Sequence, residues 1–425
     1  MKTRLAVLAA LVAATLHPAS ASAAEAVSCD GRTATITGTT GSDTLVGTEG
    51  PDVIAGLGGP DTISGLGGDD VLCGDEEDDF LYGGPGDDRL FGGFNAAWAD
   101  PGGTRTGPAD TVDPGPGDDY VDLGVDTRGF RGAADDETLD YESLGHGITV
   151  DLVSGRVIAD GVDTVVLVPG LTIHGTAYDD TMTGTARNDH FCGGPGDDVL
   201  TGGDGDDVLR GDNALGVGCD SMGGLDRADE GDDRLDGGTG DDELESRAGD
   251  DTMLGGVGRD HVASDGAGEV VARGGTGRDV IGVQLLATTG VHAAGGRGHD
   301  ILAANRGEGW RRSVSRARIE VDLARGRLRA AAPGASAGGR VTGFEELGAA
   351  QLSRDRWVIR GTRRADYLDA SNILGGTARI LGLGGNDFLY GGNRSDRLDG
   401  GSGRDEVWGG AGRDRCVRAE KVRSC

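Results

Sequence analysis

At 425 residues the chain has room for several domains, yet 83 glycines and only 4% aromatic residues leave too little bulky apolar material for an ordinary globular core. The glycine follows no three-residue period, which excludes collagen. A net charge of −32 argues against a nucleic-acid partner, which needs a basic face.

Residues 1–24 combine a basic start, an apolar run over 5–16 and the small residues Ala21, Ser22, Ala23 and Ala24, the pattern of a cleaved export signal. That run is too short to span a bilayer, and no other stretch is long and apolar enough to form a transmembrane segment. The sequence therefore predicts an extracellular protein, with −34 left once Lys2 and Arg4 are removed. Residues 28–37, where Ala34 and Ile36 alternate with threonines, read as an opening strand that caps the first coil.

From 41 to 91 aspartates recur every nine residues, at Asp43, Asp52, Asp61, Asp70, Asp79 and Asp88. Two positions after each stands one aliphatic residue, Leu45, Ile54, Ile63, Leu72, Leu81 or Leu90, and glycines dominate the positions before it. Glycine permits a tight reversal because positive φ costs it little. A three-residue strand comes next, with its single apolar side chain inward. One repeat cannot bury that group alone, so repeats must stack. With two repeats per turn, Asp43 sits over Asp61 and Asp52 over Asp70. Stacked carboxylates ~5 Å apart either take up protons or draw in a cation. Oxygen-only ligands, carboxylate with glycine carbonyl, select calcium rather than zinc.

This nonapeptide resembles the RTX (haemolysin-type) calcium-binding repeat family of secreted bacterial proteins. The resemblance implies an all-β parallel β-roll, or β-helix solenoid, with calcium ions between successive turns. A second run has Asp180, Asp189, Asp198 and Asp207, with Met182, Phe191, Leu200 and Leu209 inward. A third has Asp233, Asp242, Asp251 and Asp260; Glu269 then takes the fifth slot and Asp279 comes one residue late, implying a bulge between them. Neither is counted as a ligand. Asp300 stands in one more recognisable repeat. The last run has Asp387, Asp396, Asp405 and Asp414, with Leu389, Leu398 and Val407 inward and Cys416 in the next inward slot. Aspartate pairs eighteen apart suggest about ten calcium ions, which would bring −34 to roughly −14.

The expected divisions are the signal at 1–24, a cap with the first roll at 25–93, a loop and β spacer at 94–175, and the second roll at 176–211. A cysteine-bearing loop with the third roll occupies 212–304, then an arginine-rich β spacer 305–360 and the last roll with a closing tail 361–425. The two spacers share a pattern, Val150-Asp151-Leu152 in one and Val321-Asp322-Leu323 in the other, and are read as metal-free β coils. Six cysteines in an exported chain suggest three disulfides; of fifteen pairings, proximity favours Cys29–Cys73, Cys192–Cys219 and Cys416–Cys425. The glycine, alanine and arginine bias, with only Lys2 and Lys421, points to a GC-rich bacterium.

No catalytic constellation emerges, and the chain is not expected to be an enzyme. Residues 334–338 match the G-x-S-x-G elbow by letter, but that motif needs a strand before it and a helix after it. Two further readings share the sequence. One is a calcium-stabilised adhesin or envelope-associated protein that contacts a cell surface or glycan through residues 305–345 or the insert near Trp98. The other is an exported hydrolase with a cryptic site at Ser336.

Overall fold

The computed structural model describes residues 26–94, 109–124, 137–212, 231–247, 249–264, 266, 268–285, 289–305, 317–332, 335–349, 355–373 and 375–425. The predicted export signal, Trp98 and Cys219 lie outside these.

Each nonapeptide contributes one strand, and the chain returns to the same face after two. Thr62–Ser64 lies in parallel on Phe80–Tyr82, eighteen residues on. Val53–Gly58 does the same on Val71–Glu76. Alternate repeats therefore build two long parallel sheets that face each other across a single core. One runs from Ile36–Thr37 to Arg415–Val417 and the other from Thr44–Val46 to Lys421–Arg423. No α-helix forms among the described residues; the one helical turn is the 3-10 segment Leu323–Arg325.

The inward slots hold the residues the period assigns. Ile54, Ile63, Leu72, Leu81 and Leu90 are fully buried, as are Met182, Phe191, Leu200, Leu209, Leu389, Leu398 and Val407. Leu45 at the open end is only partly covered. With one such side chain per repeat, Leu200→Ala is expected to cost ~2–5 kcal/mol, read from urea denaturation in excess calcium.

Strand length departs from the expected three residues on one face. Val53–Gly58, Val71–Glu76 and Arg89–Phe94 have six each, because the turn backbone continues to pair with the turn beneath: Leu57 lies opposite Asp75 and Asp75 opposite Gly93.

The spacers are β coils only in part: Thr138–Asp140, Thr172–His174 and Glu346–Ala349 continue the parallel stacking, and an antiparallel element interrupts it in each spacer. Thr149–Asp151, Arg156–Ile158 and Val162–Val166 form an antiparallel pleat inserted in the sheet of longer strands. Its last strand continues the roll before it and its first starts the roll after it. Arg318–Asp322, Arg327–Ala332 and Ala335–Thr342 repeat this arrangement. Antiparallel reversal needs only a tight turn, so the sheet stays continuous while the chain changes roll. Ser336, paired with Ala331, lies in such a strand, so residues around it do not make a nucleophile elbow.

The bulge expected between Glu269 and Asp279 falls earlier. The Glu269 amide donates to Asp250 Oδ1, and Val271 pairs with Thr252. The slot after Asp251 therefore belongs to Val270, and the extra residue precedes Glu269.

Both ends are closed covalently. Cys29 is disulfide-bonded to Cys73, tying a small hairpin, Ser28–Cys29 with Arg32–Thr33, to the fourth repeat. Cys416 is bonded to Cys425 beyond the last strand.

Candidate metal centre in the glycine turns

All eighteen predicted ligands fall into two acid columns, one at the entry to each sheet. In the first roll Asp43, Asp61, Asp79 and Asp110 form one column and Asp52, Asp70, Asp88 and Asp119 the other. The same link joins every step: an aspartate amide donates to Oδ1 of the acid one turn on, at 2.8 Å from Asp43 to Asp61 and 2.7 Å from Asp52 to Asp70. The middle rolls continue as Asp180, Asp198, Asp233, Asp251 and as Asp189, Asp207, Asp242, Asp260, Asp279, Asp300. The last roll has Asp366, Asp387, Asp405 and Asp396, Asp414.

Within the columns Oδ1 is held by the amide of the turn before, and Oδ2 distinguishes two kinds of turn. In Asp61, Asp70, Asp79, Asp88, Asp119, Asp198, Asp207, Asp242, Asp251, Asp260, Asp279, Asp300, Asp387, Asp405 and Asp414 it is buried and receives no hydrogen bond. In Asp43, Asp52, Asp180, Asp189 and Asp366 it accepts the amide of a threonine four residues earlier, at 2.6–2.7 Å, and that threonine's hydroxyl bonds the same carboxylate. Asp396 takes the Gly392 amide and Asp233 the Ser246 hydroxyl.

Backbone conformation explains most of the division. Four residues before an orphaned Oδ2 the chain adopts positive φ, for example 105° at Gly194, 116° at Gly203 and 112° at Gly256, so that amide does not reach the carboxylate. Leu57, Leu66 and Leu383 take the same strained conformation at 83°, 77° and 79°. The threonines do not, and their amides close the turn.

The open turns form an oxygen cradle. A Cβ built at Gly56 would fall on the Asp61 carboxylate and the Gly74 carbonyl oxygen; at Gly193 it would fall on Asp198 and the Gly211 carbonyl. Carboxylate and carbonyl oxygens converge there without a proton donor, which fits a hard cation of flexible coordination such as calcium.

The electrostatics follow burial more than the kind of turn. Burial, together with the charges of neighbouring aspartates, pushes Asp79 up to about 8 and Asp198 to about 9. Asp52, in a closed turn near the open end, is held below the usual carboxylate range, chiefly by the Thr48 hydroxyl, whereas burial raises Asp180 to about 6 and Asp233 to about 10 although their turns are closed too. At Asp180 and Asp189 the closing threonine donates both its amide and its hydroxyl to the carboxylate. Thr176→Val with Thr185→Val is expected to destabilise the protein by ~1–3 kcal/mol per site, measured by urea denaturation in excess calcium. An unchanged midpoint would show that these bonds contribute nothing.

Several ladder members were not among the predicted ligands. Asp110, Asp119, Asp279, Asp300 and Asp366 extend the columns, and Glu137, Glu345 and Glu420 take aspartate places in them by accepting the Asp110, Asp300 and Asp405 amides. The spacers join in: Asp163 accepts from the Asp119 amide and from Tyr141, and Asp355 from the Ala317 amide. The signal was present as an acid two residues before a buried apolar one, such as Glu137 before Leu139 or Asp355 before Trp357. An outer ladder was missed as well. In several Asp-Asp doublets the first acid donates its amide one turn back, Asp87 to Asp69 Oδ1 and Asp197 to Asp179 Oδ1, facing solvent.

The fold and these columns define a solenoid roll with acid-lined turns. The family model described as RTX calcium-binding nonapeptide repeat (4 copies) matches residues 37–72, 67–96, 174–209, 227–262 and 381–416, so the chain carries RTX calcium-binding repeats in these stretches. No curated protein matches it.

Proposed function

We propose that the protein is an exported scaffold whose rolls are completed by calcium held in the open turns, and that its folding depends on that calcium. The observation that carries this is the row of buried Oδ2 atoms with no donor, since an unpaired buried carboxylate is costly unless a cation or a proton compensates it. Asp61, Asp70, Asp79 and Asp88 in the first roll, Asp198 and Asp207 in the second, Asp242, Asp251 and Asp260 in the third, and Asp387, Asp405 and Asp414 in the last would supply side-chain oxygens. Asp43, Asp52, Asp180, Asp189, Asp233 and Asp396 stand at turns where the protein's own donors already occupy Oδ2; their share is Oδ1 and the register. Extracellular calcium modules bind at ~10⁻⁴ to 10⁻³ M, and a metal that completes the fold converts binding energy into folding energy. Disulfides suit an oxidising compartment outside the cell.

Equilibrium dialysis with radioactive calcium tests the reading. Wild-type protein is expected to bind several ions cooperatively. Asp198→Asn with Asp207→Asn should lower the count, whereas Thr185→Gly, which frees the Asp189 carboxylate, should not. Stoichiometry near zero would overturn the proposal.

A further inference from the structure

The charge of this acidic protein is unevenly distributed. Residues 317–425 carry 19 arginines and lysines against 14 acids, a net +5, so the remaining 316 residues hold −37. Most of the acids in the basic part are already engaged: Asp355, Asp366, Asp387, Asp396 and Asp405 are buried, Asp322 and Asp399 are buried and ion-paired, and Glu320, Glu345, Glu346 and Glu406 are ion-paired.

The arginines gather on one surface. Seven successive strands of the longer-stranded sheet each present an exposed arginine outward: Arg340, then Arg327 and Arg329, Arg318, Arg356, Arg379, Arg397 and Arg415. Arg379, Arg397 and Arg415 are direct cross-strand partners, and so are Arg318 and Arg356. At the ~4.8 Å strand spacing the row is about 29 Å long. Like charges directly opposite one another destabilise a sheet, so the fold gains nothing from this alignment. Among the described residues no acid lies within ion-pairing distance of Arg379, Arg397 or Arg415.

We propose that this face binds a linear acidic polysaccharide, laid along the roll with its carboxylate or sulfate groups over successive arginines. Guanidinium groups suit both anions because their paired N–H groups match two oxygens at once. Other polyanions fit the face less well. Base stacking and interfacial insertion both need aromatic or large apolar side chains beside the cations, but the aromatic row of Tyr367, Phe388, Tyr390 and Trp408 lies on the opposite sheet. The proposal concerns the outer face and does not depend on which turns hold calcium.

The test uses full-length protein in excess calcium with a labelled heparin oligosaccharide, read by fluorescence anisotropy over a salt series. Wild type is expected to bind with an affinity that falls as salt rises, as charge pairing at a surface requires. The triple variant R379E/R397E/R415E should lose at least tenfold, the variant R379K/R397K/R415K should retain most of the binding, and R234E/R259E in the third roll should change it less than twofold. Circular dichroism checks that each variant is folded. Should the triple variant not fold, Arg397→Gln alone should still weaken binding. No binding by wild type, or equal binding by wild type and folded triple variant, overturns the proposal. Tighter binding of oligo-dT or of phosphatidylserine vesicles than of the oligosaccharide overturns it in favour of nucleic acid or membrane.

Discussion

In chelator, the protein is expected to be more ordered at pH 5 than at pH 8, and calcium is expected to reverse that order. The cause is the set of aspartates that burial raises: Asp88 and Asp260 to about 7, Asp79 and Asp119 to about 8, Asp198 to about 9. In the unfolded chain each titrates near ~3.9. A group whose folded pKa lies above its unfolded value contributes stability that is complete below the unfolded pKa and is lost as pH rises through the folded one. Without metal, then, the rolls are protected in acid and lose that protection between about pH 7 and 9, as column after column becomes charged. With metal the cation replaces the proton. Stability is then high at pH 8 and falls on acidification, when protons compete for the same oxygens. Far-ultraviolet circular dichroism at the two pH values, with chelator and with calcium, gives four spectra. If the two chelated samples are equally disordered, or calcium changes neither, the account of the columns fails.

The second large effect is expected from one methyl group. In the third roll Gly240, Gly258, Gly277 and Gly298 stack on one another with φ of 143°, 153°, 148° and 152°. A Cβ at Gly277 would fall inside the Gly258 carbonyl oxygen, a backbone atom that cannot swing away as a side-chain end can. Strained φ adds to the clash. Gly277→Ala is therefore expected to destabilise by at least ~4 kcal/mol, at the upper end of single substitutions. Gly348→Ala is the matched control, because nothing lies within 4 Å of a Cβ there; a change within ~1 kcal/mol is expected. Urea denaturation of both variants in excess calcium decides it. Equal midpoints would mean that the turns are not packed against one another.

These two effects arise from different levels of the chain. The sequence by itself determined the repeat, the inward residues and the columns, because a nine-residue period with one aliphatic and one aspartate leaves a stacked roll as the way to bury Ile54, Ile63 and Leu72. It also determined two of the expected disulfides, Cys29–Cys73 and Cys416–Cys425.

Nine-residue spacing does not show which aspartates are open; the residue four places earlier marks most of them, and the structure shows what its amide reaches. Asp189 and Asp198 look equivalent in the period, yet Thr185 closes the first and the positive φ of Gly194 leaves the second without a donor. That difference rests on the direction of a single amide, which spacing does not encode. The place of the bulge before Glu269, the antiparallel pleats that bring Asp163 and Asp355 into the columns, and the alignment of Arg379, Arg397 and Arg415 were likewise settled by pairing between strands distant in the chain. Register across a sheet is a property of partners, and a sequence read along its length names the residues without naming the partners.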